Sequence, residues 1–143
     1  MNWKKEAQEK LKNYEIMRLA TVNLPQEITR LEIDAETIRG ANYENAPVRC
    51  GISRREDALM SNIIHRQELS RALHQAQLWV STTDRALGAL NHEQKQILKK
   101  LYMYPQEEAI PELCEELGLE QSSIYRKRDI ALQKFTMAYY GVT

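Results

Sequence analysis

In the stretch GLEQSSIYRKRD, the hydrogen-bonding side chains that follow Gly118 include Gln121, Ser122, Tyr125 and Arg126. Steps of one, three and one residues put all four on one face of a helix. Arg126 and Gln121 carry the donors and acceptors that pair with guanine and adenine edges, each good bidentate contact discriminating by about 1–3 kcal/mol. Ser122, Ser123, Lys127, Arg128 and Lys134 suit phosphate oxygens, which set register and not sequence. Chemistry of bond-making kinds lacks its residues. No glycine-rich phosphate loop, CxxC, HExxH or nucleophile–base set occurs, so neither an enzyme nor a cofactor is expected. His65, His74 and His92 are scattered, and the first two fall on nearly opposite sides of a helix. His65 and His74 read as surface residues, and Asp84 and Glu93 as isolated carboxylates. Cys50 and Cys114 lie far apart and read as reduced thiols, Cys50 in a loop and Cys114 buried; no metal site is expected.

The elements that must hold this face are legible on either side of Gly118. Leu113, Leu117 and Leu119, then Ile124, Ala131 and Leu132, recur at helical spacing. Gly118 stands where a short helix stops and the chain turns, a place that favours positive φ. The small Cys114 leaves room for two helices to cross closely. Two helices, a tight turn and a second helix opening on hydrogen-bonding side chains predict a helix-turn-helix, whose recognition helix, 121–138 and running on to Tyr140, lies in the DNA major groove. Lys127 falls where such a unit has an apolar residue, so its stem is expected over the core, with Ile130 taking up the missing contact. A formal net charge of zero does not announce a nucleic-acid binder, but the charges are segregated. Glu107, Glu108, Glu112, Glu115, Glu116 and Glu120 make the first helix and its flanks acidic. Arg126, Lys127, Arg128 and Lys134 make the second basic, against Asp129 alone.

At 143 residues the chain suits one domain, or a small domain with a helical extension. Its all-α reading divides into a helical hairpin and loop at 1–53, a long heptad helix at 54–90, and the DNA-binding part at 91–143. Ala7, Leu11, Tyr14, Met17 and Thr21 predict one face of a helix from Asn2 to Leu24, broken at Pro25. Ile28, Leu31, Ala35 and Ile38 predict a second helix to Arg39, ended by Gly40. Residues 40–53 read as a loop, and Ser53 with Glu56 spells a capping box that starts a helix near Arg54. Leu69, Leu73, Ala76, Val80, Thr83, Leu87 and Leu90 then follow in steps of four and three, with Leu59 and Ile63 ahead of them. Such a helix would be about 55 Å long at 1.5 Å per residue. Its seam needs a cover, either the N-terminal helices or another copy of the chain, and Trp79 beside it fits both. Asn91 with Gln94 spells a cap for a helix from His92 to about Met103. Pro105 opens the connection that follows, Pro111 is expected in the first turn of the next helix, and Phe135, Ala138 and Tyr139 are expected to fold the tail inward before Gly141. No apolar run is long enough to span a membrane and the first residues lack a secretory apolar core, so a cytoplasmic protein is expected.

From Leu87 onward, LGALNHEQKQILKKLYMYPQEEAIPELCEELGLEQSSIYRKRDIALQKF resembles region 4 of bacterial sigma factors, in its L-x-x-E/Q-x-x-I-L helix, its E-L-x-x-x-L-G-L helix and its trailing A-L-x-K-F. With APVRCGISRREDALMSNIIHRQELSRAL, WVSTTDRALGAL and KFTMAYYG, residues 42–141 resemble phage and prophage late-gene regulators of the ArpU/RinA type. The resemblance implies a sigma-like activator that binds double-stranded promoter DNA and works with RNA polymerase, with Gln121, Ser122, Tyr125 and Arg126 facing the major groove. Departures from the pattern are Glu120 for a Ser or Thr cap, Lys127 for an apolar residue, and Cys50 for a second glycine. Two other classes suit a helical chain of this kind: a DNA-packaging protein like a small terminase subunit, and an interaction module whose working part is the heptad helix, with homo-oligomers formed through it.

Overall fold

The computed structural model describes residues 1–40 and 48–143, with side chains from Arg54 onward in the second stretch. Regular structure among them is helical throughout: α1 Trp3–Lys12, α2 Tyr14–Gly40, α3 Val48–Gly88, α4 His92–Leu98, a π-helical turn Lys99–Met103, α5 Ala109–Leu117 and α6 Gln121–Tyr140.

Two expected boundaries move. The interruption expected at Pro25 lies at Asn13 instead, and α2 continues through the proline for 27 residues. Asn13 closes α1 with φ −97° and ψ 7°, its amide and its side-chain Nδ2 both donating to the Glu9 carbonyl, at 3.1 and 3.0 Å. Asparagine competes for local backbone groups in this way and so ends helices readily. A proline forfeits one amide donor, a cost of about 3 kcal/mol in a helix interior. Helical residues on both sides of Pro25 carry that cost, with Leu31 and Ala35 buried downstream. The inward face nonetheless keeps its period across the break: Ala7 and Leu11 are fully buried, and Tyr14, Met17 and Thr21 half-buried.

The second shift is at the start of α3. Residues 41–47 of the expected loop lie outside the described residues, but α3 has begun by Val48. Ser53 and Glu56 therefore fall inside a helix, and Cys50 belongs to that helix and not to a loop. An S-x-x-E spelling marks a helix start only where the preceding residues are non-helical, and VRCGI contains no proline to keep them so.

The chain divides into two compact units, Leu19–Gln77, and Met1–Arg18 with Leu78–Thr143. Within Leu19–Gln77, buried Asn62 fixes the register of α2 on α3. Its Nδ2 donates to the Leu31 carbonyl at 2.8 Å, and its Oδ1 accepts from Arg66 Nε at 2.8 Å. Arg55 adds a bond from Nη2 to the Arg39 carbonyl at 2.7 Å. Both ends of a buried amide are thus satisfied, and a one-turn slip of either helix would leave them unpaired.

The other unit has the larger core. Ala7 and Leu11 of α1 meet Ala86 and Leu87 of α3, Leu90, Leu98 of α4, Met103, and Ala131, Leu132 and Phe135 of α6. Phe135 is fully buried, which contributes about 1.5–3 kcal/mol relative to exposure. Tyr139 and Tyr140 lie tilted to each other at 4.6 Å between ring centroids, and Trp3 sits 5.0 Å from Tyr140, closing α1 over the end of α6. Ala138, expected to face inward, is exposed; Thr136 is buried instead, its hydroxyl donating to the Leu132 carbonyl. Trp79 Nε1 donates to the Lys10 carbonyl at 3.0 Å while the Lys10 ammonium lies 3.6 Å over its ring. Of the heptad positions, Ala76, Thr83, Leu87 and Leu90 are buried and Leu69, Leu73 and Val80 half-buried. No helix among the described residues is long and apolar enough to cross a membrane.

Candidate functional site

Four helical segments build the site from below. Asn91 and Gln94 form the expected reciprocal cap of α4: Gln94 N–H donates to Asn91 Oδ1 at 2.8 Å, and Asn91 N–H to Gln94 Oε1 at 3.1 Å. Pro111 occupies the first turn of α5, where its missing N–H would have no intrahelical partner. Gly118 ends α5 in the left-handed region, φ 65° and ψ 35°, and the next amide, Leu119 N–H, returns to the Cys114 carbonyl at 3.1 Å. Beneath this turn, Ile97, Leu113 and Ile124 are fully buried, with Leu101, Ile110, Leu117 and Leu119 around them. Cys114 joins them half-buried, where full burial was expected. Three helices thus meet at Ile124, so the first turns of α6 are fixed by packing and not by their own propensity.

On the outer side of those turns, Gln121, Ser122, Tyr125 and Arg126 are exposed together. Gln121 Nε2 lies 3.3 Å from the Tyr125 hydroxyl, one turn away. Arg126 has no hydrogen-bond or ion-pair partner among the described residues. Its basic neighbours are engaged. Lys127 Nζ is 2.6 Å from Glu93 of α4. Arg128 donates to Asp129 at 3.0 and 3.2 Å and lies 5.0 Å over the Tyr125 ring. Lys127 and Arg128 are accordingly half-buried, as is Ser123, while Lys134 is exposed. Ile130, expected to supply an apolar contact in place of Lys127, is 53 % exposed. Lys127 is held through its charge, and the core closes without Ile130. Glu120 takes the N-cap backbone conformation, φ −75° and ψ 158°, with no side-chain capping bond.

The acidic surface of α5 is partly neutralised from a direction that sequence reading missed. Lys100, in the π-helical turn, reaches Glu116 at 2.6 Å and Glu112 at 3.2 Å, and Gln96 also donates to Glu116. The bond to Glu116 leads in holding the Lys100 ammonium above its ordinary pKa, with Glu112 adding to it. Lys100 carried no signal of this role in the sequence, because its partners lie twelve and sixteen residues ahead across a turn. His65 and His74 are exposed as expected, and so is His92. Among the described residues no group of three or more metal-ligating side chains assembles.

No protein-family model matches this chain, and no curated protein or solved structure matches it.

Proposed function

We propose that the chain is a sequence-specific DNA-binding transcriptional regulator, with α5, the Gly118 turn and α6 working as a helix-turn-helix of the sigma region 4 kind. The observation that carries this reading is the outer face at the start of α6. Gln121, Ser122, Tyr125 and Arg126 stand exposed on it, above a core that leaves those turns little freedom. An unpaired guanidinium beside an amide has the groups needed to read guanine and adenine edges. Lys127 and Arg128 already hold carboxylates, so they serve mainly to set the charge of the helix flank. Arg126 and Gln121 are the readers, and Ser122 and Ser123, near the helix N-terminus, fit phosphate. Asp129 and Glu120 lie near the same face, and they make weak binding by the isolated chain the expectation. RNA polymerase or a second copy at a neighbouring half-site would strengthen it. The late-gene activators of phages and prophages, which the sequence resembles, provide the biological setting of this proposal.

The test is selection of bound fragments from a random duplex library, followed by titrations at several salt concentrations with wild type and with Gln121→Ala, Arg126→Ala. One enriched motif, lost by the variant while its general affinity falls less, supports base reading. Equal and motif-free binding by both proteins removes it.

A further inference from the structure

A second site lies away from the α6 face, within the unit that joins Met1–Arg18 to Leu78–Thr143. It is a cavity of about 250 Å³ whose walls include Tyr14, Asp84, Lys95, Lys99, Met103 and Tyr104. Lys95 and Lys99 are one helical turn apart and so share a face. Neither has a carboxylate partner among the described residues, whereas the next residue, Lys100, has two. Consecutive residues of a helix point in different directions, which separates Lys99 from Lys100; Lys99 opens the π-helical turn, and its carbonyl accepts from Tyr104 N–H at 2.8 Å. That turn brings Lys99, Met103 and Tyr104 together on the cavity, and short π segments in α-helical proteins are frequent at functional sites.

Other residues of the lining have the reverse character. Tyr14 donates its hydroxyl hydrogen to Asp84 Oδ1 at 2.6 Å, and Tyr104 donates its own to Glu15 Oε1 at 2.6 Å. Glu15 is clamped in turn by Arg18, 3.0 Å away. Both phenolic hydrogens are therefore committed, and what the phenols can still offer is acceptor oxygen. Asp84 Oδ2 has no partner among the described residues. The lining thus presents two ammonium groups, and with them a carboxylate oxygen and phenolic acceptors.

We propose that this cavity binds a small zwitterion, its phosphate-class oxyanion held by Lys95 and Lys99 and its ammonium end by Asp84. The site is independent of the DNA-reading face, and its test needs no DNA. O-phosphoethanolamine and inorganic phosphate are titrated separately into the full chain, followed by amide chemical shifts. O-phosphoethanolamine binds the wild type more tightly than phosphate does. Asp84→Asn, which keeps an oxygen for Tyr14, removes that advantage and leaves phosphate binding in place. Lys95→Ala with Lys99→Ala weakens both ligands by at least about tenfold, the loss of charge-assisted contacts. Gly88 lines the same cavity, and a Cβ built there meets nothing within 4 Å, so Gly88→Leu fills the space without removing a charge and blocks both ligands. Lys4→Ala with Lys5→Ala, two exposed lysines of α1, removes the same charge elsewhere and leaves binding intact. The proposal is overturned if O-phosphoethanolamine leaves the spectrum unchanged, if phosphate binds equally well, or if the Lys4, Lys5 variant weakens binding as much as the Lys95, Lys99 variant. Binding that survives Gly88→Leu would overturn it too.

Discussion

Arg126 and Lys127 are adjacent bases in different situations, and that difference decides what each can contribute. Lys127 is tied to Glu93, and both side chains are about 40 % exposed, 42 % and 38 %. Surface pairs of this kind are worth about 0–1 kcal/mol. Lys127→Ala should therefore change the midpoint of urea unfolding only slightly, and it should alter DNA affinity without altering sequence preference. Arg126→Ala removes an exposed group with no partner to strand, so its folding stability should match wild type. Its discrimination between the selected site and a single-base variant should fall by about 1–3 kcal/mol, read by competition binding. If both substitutions lower affinity equally on every sequence, neither side chain reads a base. Glu120→Ser bears on the same face: a serine hydroxyl can accept from the free amides where Glu120 makes no capping bond. It should raise stability by up to about 1 kcal/mol and, on the proposed DNA-binding reading, tighten DNA binding by removing a negative charge from that face. At this scale the exposure of the candidate residues was legible, because hydrogen-bonding groups at helical spacing announce themselves. Their partners were not. Glu93 and Lys127 are joined only once α4 packs on α6, and no spacing rule links positions so far apart.

Among the elements, those with strong local signals stand where the sequence places them. The Asn91–Gln94 cap, Pro111 in the first turn of α5, and Gly118 and Gly141 after their helices each depend on a few neighbouring residues, and each has the expected geometry. Pro25 misled because a local preference worth a few kcal/mol yields when residues on both sides are helical, and Ser53 because the helix has already begun by Val48. Asn13 decided the first boundary instead, through two bonds to one carbonyl that periodicity alone does not reveal. Two substitutions test this account. Gly118→Ala meets no atom, since a Cβ there has nothing within 4 Å, yet it must hold φ at 65°. The expected loss is about 1–2 kcal/mol, with helix content by circular dichroism unchanged. A loss near zero would mean that the turn relaxes out of the left-handed region. Pro25→Ala should gain stability by about 1–3 kcal/mol, the interior proline cost less the freedom the alanine chain regains on unfolding. A drop in stability would mean that the proline favours the native arrangement of α2.

For the molecule as a whole, tyrosines are the groups that couple the unit containing both termini to pH. Tyr14 links the start of α2 to α3 through Asp84, and Tyr140 packs on Trp3 of α1 from the end of α6. Burial comes first in pushing both phenols up to about 12, with the bond to Asp84 second for Tyr14 and the neighbouring Tyr139 second for Tyr140. Tyr102 and Tyr139 are raised by burial as well, and Tyr104 first by its bond to Glu15. Thr83 lies under this layer, its buried hydroxyl outside hydrogen-bond geometry yet close enough to Tyr139 to offset part of that phenol's rise. A phenol titrates near pH 10 in an unfolded chain, so a folded-state value near 12 means that the native protein binds more protons across that interval. The sign follows: this contribution to stability is complete below about pH 10 and is lost as pH rises through the folded values. Unfolding midpoints in urea should therefore fall steeply between pH 10 and 12, the window bounded by the unfolded and folded phenol values. Tyr14→Phe removes one titrating group, so it should lower stability at neutral pH while making the alkaline slope shallower. Absorbance of phenolate should rise together with loss of helix. If phenolate instead appears near pH 10 while the helices stay intact, the phenols are solvated in the native chain and the closure of α1 over α6 is looser than these contacts require.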